Sequence, residues 1–447
     1  MTANDPPTAG PDNTVARWLR ENAAHLRTLD PSDEDVSDLE PLREIVGDAR
    51  VVAIGESTHR MHEFYQVRHR LVRFLVAEMG FTAFVMESGF PEGLAVDAWV
   101  RGGHGNLADL LHSGITYHMG KCDEMRDQLA WMRSYNASHD RAVGFYGVDL
   151  PDSSASALPA VEASLKFLNE VDPAYAEALR RSLLPLFGYL PTDRTGLAWA
   201  APTLHAYLAL DPAARNELTA RIGDLAERMQ AQRVVYAGRA DTERFERAYR
   251  CACTARHMDA FLQAMAAGAE RTYEGANIRD AAMAENIEWI LRHEERVVIS
   301  AANGHVQRWP FSAPPIVNDR LTTVGQHLAA SLGDRMVVIG STLGGGELFL
   351  HRPIPGAPAG HTETFVEDMP TLDPDSLDAL LATAGLPHYL LDLRKVPGSG
   401  AVVERFATRT SLMTGGQATP VDVMAAFDAV VHVDRVTPWH TFLGAPM

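Results

Sequence analysis

The chain is 447 residues long, 46% hydrophobic and 22% charged, enough for one large core or two moderate ones. Its formal net charge is −18, from 58 acidic and 40 basic residues with no basic block among them; nucleic acid and anionic membrane surfaces are therefore poor partners. The three cysteines, Cys122, Cys251 and Cys253, lack zinc or redox spacing and fit a reducing, cytoplasmic setting. No apolar run has the length of a membrane span, and the N-terminus shows no signal-peptide pattern.

Met1 to Asn13 is rich in Pro, Asp, Asn and Gly and reads as a disordered tail. Thr14 to Leu29 reads as a first helix with Trp18, Leu19 and Leu26 on one face. Strand-like and helical runs then alternate: Val51 to Ile54, a helix over His62 to Met79, Phe81 to Met86, a helical stretch to Asn136, and Ala142 to Val148. That alternation predicts an α/β fold, a central, mainly parallel sheet flanked by crossover helices.

From 153 to 295 the strand signal disappears; Ala, Leu, Glu, Arg and Met dominate, and Asp211-Pro212 is a good helix start, so this stretch reads as a large helical insertion. Its aromatic residues Phe187, Tyr189 and Trp199 read either as the wall of a cleft or as helix-packing core. Strands resume at Val297 to Ser300, Met336 to Ser341, Glu347 to His351 and Tyr389 to Leu393, with Pro353 to Gly360 a surface loop. The organisation expected is a tail over 1–13, a core in two parts at 14–152 and 296–447, and the insertion at 153–295 between them.

The functional signal lies at the carboxyl ends of the strands. The first ends in Gly55-Glu56-Ser57-Thr58-His59, the second in Glu87-Ser88-Gly89, the third in Gly147-Val148-Asp149, and the fourth in Asn303-Gly304-His305. The ends of parallel strands share one edge, where open α/β proteins bind ligands, so Glu56, His59, Glu87, Asp149 and His305 are candidates, with Arg68 on the helix after His59. Glu87 comes directly after the apolar Phe84-Val85-Met86, so its carboxylate is partly buried and needs an arginine or histidine partner. Ordinary roles compete: Glu56 as a helix-start carboxylate, Asp149 as a turn residue before Leu150-Pro151, Arg68 as a snorkelling arginine.

A Gly-x-Ser-x-Gly elbow, a Walker A loop and a Gly-x-Gly-x-x-Gly turn are absent, which speaks against serine hydrolase, NTPase and dinucleotide readings. His59-x-x-His62-Glu63 has neither residue order of the zinc helices, so no metal and no cofactor is expected. Carboxylates paired with histidines suggest a water activated by a general base. A carboxylate orients His59, His59 takes the proton, and Arg68 or His305 faces the developing oxyanion. Such equipment suits an activated carbonyl, an ester or a lactone.

These residues resemble the erythromycin esterase family, which also contains proteins linked to succinoglycan biosynthesis. The resemblance begins at Trp18-Leu19 and Leu29-Asp30-Pro31 and runs through Asp38 to Leu42 into Gly55-Glu56-Ser57-Thr58-His59. It continues with Glu63-Phe64, Arg68, Gly80-Phe81, Glu87, Gly144 to Asp149, Arg279-Asp280 with Met283, Asn303-Gly304-His305, and Gly325 to Gly346. It implies hydrolysis of a macrolide lactone by water, usually without an obligatory metal, in an α/β core whose large helical portion frames a deep active-site cleft. His59 matches the family's general base, and Glu56, Glu87, Arg68 and His305 match other active-site positions; Asp149, Asn303, Arg279 and Arg60 are the expected substrate-binding residues.

Two departures stand out. The family commonly has Gly after the motif histidine, where Arg60 stands here, and commonly reads His-Asn-x-His later, where this chain has Ala302-Asn303-Gly304-His305. Three functions stay open: a hydrolase of a bulky, polyketide-type small molecule; a tailoring enzyme whose base moves a substrate proton in a cyclisation, elimination or isomerisation; and a binding protein without catalysis. Neither the substrate nor the oligomeric state is legible in the residue pattern.

Overall fold

The apolar runs become short buried strands, and the computed structural model describes residues 11–191, 200–268, 271–315, 317–356 and 362–441. In chain order the first strands are β1 (Ala24–His25), β2 (Val51–Glu56), β3 (Ala83–Gly89), β4 (Gly144–Asp149), β5 (Val297–Ala302), β6 (Phe311–Ala313) and β7 (Val317–Leu321). They continue with β8 (Met336–Leu343), β9 (Glu347–Pro353), β10 (Thr362–Asp368), β11 (His388–Asp392), β12 (Ser411–Thr414), β13 (Gln417–Pro420) and β14 (Ala429–Val433). The chain divides into two units, one from the described residues of Met1–Gly80, Val298–Phe349 and Val366–Trp439, the other from those of Phe81–Val297, Leu350–Phe365 and His440–Met447.

In the first unit the strand order is β1-β11-β14-β8-β2-β5. β8 pairs in parallel with β2 on one side and β14 on the other, while β11 and β1 add an antiparallel edge. Every residue of β2, β8 and β14 is buried. Parallel strands are covered on both faces, which is why they read as unbroken apolar runs rather than as alternation. The helix His62–Met79 buries Phe64, Val67, Leu71, Phe74 and Leu75 and ends at Gly80, whose φ of 71° provides the left-handed cap that a side chain would strain.

In the second unit β3 and β4 pair in parallel, from Ala83 opposite Gly144 to Gly89 opposite Asp149, with a register shift between Met86 and Gly89. Between Pro151 and Ile290 the described residues form helices and no strand. Phe187 is buried and Tyr189 meets the ring of Tyr207 edge-on at 5.8 Å, so both take part in helix packing; Trp199 lies outside the described residues. The expected fold class, a mainly parallel sheet flanked by helices, is borne out. No helix among the described residues is long and apolar enough to cross a membrane.

The local reading differs at the first helix and at β14, among other short strands. The first helix is Pro11–Asn22 and stops short of Leu29, because Ala24 and His25 pair with Leu390 and Tyr389 of β11. The segment after it is then held by Arg70, which donates to Thr28 O, Asp35 O and both Asp38 carboxylate oxygens. β14 went unread, since His432 breaks its run of valines; the imidazole is nonetheless buried, its Nδ1 2.9 Å from the Thr342 hydroxyl. Met1 to Gly10 and residues 357–360 of the expected surface loop lie outside the described residues.

Candidate active site

In the first unit the site grows from the end of β2. Gly55 is required there by close approach: a Cβ would collide with Asn303 Oδ1. Glu56 comes next, with only 7% of its surface exposed. The chain turns through buried Ser57 and Thr58, and His59 comes back so that its Nδ1 lies 2.5 Å from Glu56 Oε1. A buried carboxylate at that distance fixes both the ring and its tautomer, with the proton on Nδ1 and the lone pair on Nε2.

Arg60 has a φ of 65°, the left-handed region in which glycine is at ease and other residues are strained by ~1–2 kcal/mol. Its carbonyl accepts a hydrogen bond from Trp439 N at 2.9 Å, and its guanidinium sits 5.8 Å from the centre of the Trp439 ring.

Arg68 lies on the helix His62–Met79, 3% exposed, with its guanidinium 3.9 Å from the centre of the Tyr65 ring. Glu56 and Arg68 line one small cavity together with Ser300 and Ser341. Arg68 is thus a buried group beside the carboxylate and not a snorkelling one. His305, half-buried, belongs to the short helix Asn303–Val306 at the end of β5.

Asn303, read from the sequence as a binding residue, is fully buried and has both amide atoms engaged. Its Nδ2 donates to Ser341 O at 2.8 Å, and its Oδ1 accepts from Ser341 N at 3.1 Å. Ser341 Oγ in turn accepts from Ser57 N at 2.8 Å. The amide therefore fastens strand ends together.

In the second unit Glu87 lies within β3 rather than beyond its end, 4% exposed, and Asp149 ends β4 with no exposure at all. The partner that burial demands for Glu87 is Arg279, on the helix Thr272–Ile290. Arg279 Nη2 is 3.0 Å from Glu87 Oε1 and 2.5 Å from Asp149 Oδ2, and its Nε is 2.9 Å from Asp149 Oδ1. Burial works against the guanidinium charge, but Asp149, Tyr117 and Glu87 outweigh it and raise its pKa well above the ordinary value. Asn286 Nδ2 donates to Val148 O at 2.7 Å and pins the same helix to β4.

Three participants escaped the sequence reading. Tyr117 donates to Asp149 Oδ2 at 2.9 Å and lies 2.6 Å from the Ser154 hydroxyl; in a loop, it carried no periodic signal. Trp439 lies near the end of the chain, where nothing in its neighbours marks it. Ser341 was detectable, for it is the first polar residue after the apolar run Met336 to Gly340, much as Glu56 follows its own run.

A mainly parallel α/β protein with a carboxylate–imidazole pair at one strand end, and a buried carboxylate–guanidinium cluster at others, has the equipment of acid–base chemistry. The chain belongs to the erythromycin esterase family, whose model matches residues 76–436, and as a member it is a hydrolase. That span takes in Glu87, Asp149, Arg279 and His305, while Glu56 and His59 precede it.

Erythromycin esterase type II of Escherichia coli is 28% identical over 334 residues, 73% of this chain and 76% of the relative. Type I from the same organism is 24% identical over 340 residues, 74% of this chain and 79% of the relative. Among solved structures, a succinoglycan biosynthesis protein has a TM-score of 0.76 at 22% identity, covering 96% of this chain and 98% of that one. A mutant of erythromycin esterase EreC in its open conformation gives 0.74 at 19% identity, over 93% and 98%. At these identities the two structures establish the fold.

Proposed function

We propose that this protein hydrolyses an ester or macrolactone of a bulky small molecule with a water activated by His59. The observation that carries the reading is the 2.5 Å contact between Glu56 Oε1 and His59 Nδ1. With Nδ1–H held by the carboxylate, Nε2 takes a proton from water as the water oxygen attacks the carbonyl carbon. Glu56 stabilises the imidazolium that forms, and the imidazolium then protonates the departing alkoxide as the acyl–oxygen bond breaks.

Arg68 or His305 faces the oxyanion of the tetrahedral intermediate; such donors contribute about 10²–10³-fold each. Glu87 is a further catalytic carboxylate, and Arg279 and Arg60 are substrate-binding groups, with the fully buried Asp149 and Asn303 positioning residues. The macrolide as substrate is supported by the two relatives named erythromycin esterases. The reaction so drawn needs no metal, and turnover is expected to survive exhaustive chelation. Free thiols at Cys122, Cys251 and Cys253 support a cytoplasmic setting.

The test is incubation with a panel of macrolides and simpler lactones in ¹⁸O-labelled water, read by mass spectrometry. Hydrolysis gives a product heavier by one water, carrying one labelled oxygen. A product without label would instead assign His59 to proton transfer within the substrate. His59→Asn retaining near wild-type turnover would overturn the mechanism altogether.

A further inference from the structure

Six non-glycine residues among those described have a left-handed φ, and five of them gather in the second unit: Tyr117, His118, Asp152, Ser153 and Ser154, at 55° to 61°. Three in succession without a glycine make a costly turn, which persists only where the surroundings hold it. Tyr117 N donates to Ser153 Oγ at 2.9 Å, and the Tyr117 hydroxyl meets Ser154 Oγ at 2.6 Å and Asp149 Oδ2 at 2.9 Å. The turn therefore sets the tyrosine that leans on Asp149 and whose ring centre lies 5.5 Å from the Arg279 guanidinium.

The backbone of the turn is caught by Glu92, in the first turn of the helix Phe90–Val100. Glu92 Oε1 accepts from Asp152 N at 2.7 Å. Its Oε2 is buried and has no hydrogen-bond partner among the described residues. The carboxyl fills the space beside Gly89, where a Cβ would collide with Oε2.

Among the described residues, the groups that act on this carboxyl supply no positive charge. They are Asp149 from β4, Asp152 from the turn, and the thiol of Cys251 from the helix Thr242–Ala266, itself kept protonated by burial. The arginines of the neighbouring helices are committed, Arg279 to Asp149 and Glu87, Arg250 to Glu285, and Arg247 to Asp97 and Glu243. An ionised Glu92 would leave a charged oxygen orphaned beside two carboxylates. A protonated one leaves only a hydroxyl, at much lower cost, and keeps Oε1 as an acceptor. Burial, helped by Asp152 and Asp149, pushes its pKa up to about 8 against the pull of the Asp152 and Glu92 backbone N–H groups.

We infer that Glu92 keeps its proton in the folded protein and in that form is a positioning residue, latching the left-handed turn that places the Tyr117 hydroxyl on Asp149. Its bearing on turnover rests on the proposed hydrolysis; the latch itself does not. Opening the turn brings the carboxyl into water, where it ionises at its ordinary 4.5, whereas in the closed turn it ionises at about 8. Between these values opening releases a proton, so it becomes easier as pH rises, by up to about tenfold per unit, and levels off beyond them.

Hydrogen exchange of the full chain tests the latch, read by mass spectrometry over the peptides holding Tyr117 and Asp152 and corrected for intrinsic rates. From pH 5.5 to 8 protection in wild type is expected to fall by about tenfold or more. In Glu92→Gln, which keeps the acceptor and cannot ionise, it stays level. Glu92→Leu, checked for folding by circular dichroism, should lose at pH 5.5 the protection that the glutamine keeps. A level wild-type profile, or the same slope in Glu92→Gln, overturns the inference, and neither depends on how Glu92→Leu folds. On an accepted ester, wild-type kcat should fall by about tenfold or more between pH 7.5 and 9.5, along a limb that Glu92→Gln lacks. A limb common to both removes Glu92 from the reaction, whereas failure of every ester to react touches only the proposed hydrolysis, because the exchange arm needs no turnover.

Discussion

Glu56→Gln is the most direct probe of the proposed base, because it keeps the shape of the side chain and removes only its charge and its fixed acceptor character. The Glu56 side chain is only 9% exposed and its carboxylate meets His59 Nδ1 at 2.5 Å. A glutamine can turn its NH₂ toward Nδ1, which drives the ring proton to Nε2 and leaves no lone pair facing water. It also withdraws the counter-charge of the imidazolium, worth about 4 kcal/mol for unit charges 4 Å apart at an effective dielectric of about 20.

General-base assistance is itself worth ~10²–10⁴-fold, or ~2.7–5.5 kcal/mol at 1.36 kcal/mol per decade, so two independent routes give the same scale. The expected result is a fall in kcat of about 10²–10⁴-fold with KM changed by less than about threefold. Initial rates on an accepted ester, monitored by chromatography and mass spectrometry from pH 5.5 to 9, measure it, with unfolding curves run alongside. A variant that turns over within threefold of wild type, while folded, would refute the orienting role of Glu56.

The geometry sets three further outcomes. Arg279→Met leaves Asp149 and Glu87 buried without their cation and is expected to destabilise the fold by ~3–5 kcal/mol in urea unfolding; Asp149→Asn in the same chain should recover part of the loss, and a cost below about 1 kcal/mol would contradict the cluster's role. Arg60→Gly exchanges relief of left-handed strain for a lost cation–π contact and a freer unfolded chain, so stability should stay within about 1 kcal/mol of wild type, whereas Arg60→Val should cost ~1–2 kcal/mol, because a β-branched residue is strained more than arginine at this φ and the cation–π contact is lost as well. Burial depresses His432 to about 3, and burial with Arg73 and Arg68 nearby depresses His69 to about 3. The unfolded chain therefore binds more protons below about pH 6.5, and each histidine's contribution, complete above that pH, falls by ~1.4 kcal/mol per unit as pH drops toward 3. Unfolding free energies measured from pH 7.5 to 4 should decline accordingly, and less steeply in His432→Gln; a flat profile would contradict the buried-neutral assignment.

The strand ends were legible because buried parallel strands are written as runs of valine, isoleucine and methionine stopped by a glycine or a charge, as at Ile54-Gly55-Glu56. The same logic found Glu87 and Asp149 and foresaw that Glu87 needed a cation. That the cation is Arg279 was fixed by chain topology: it lies 192 residues from Glu87 and 130 from Asp149, and no local pattern connects them. β14 was lost because a buried histidine looks polar in sequence, whereas in place it is a neutral ring against Tyr389 and Thr342. The early stop of the first helix was equally invisible, since Ala24 and His25 pair with a strand more than 360 residues away.

The cross-linking of Asn303, Ser341 and Ser57 has a consequence for motion. A side-chain amide that both gives and receives a backbone hydrogen bond acts as one more rung of the sheet ladder, set where the strands have run out. The tips of β2, β5 and β8 are thereby tied into one stiff rim, and the amide protons of Ser57 and Ser341 should exchange with solvent together, on the timescale of the whole rim opening. His59 follows that rim by two residues and is held to it through Glu56. Variation in what the protein accepts would then come from side chains outside that rim, with the proposed base left beside a fixed point.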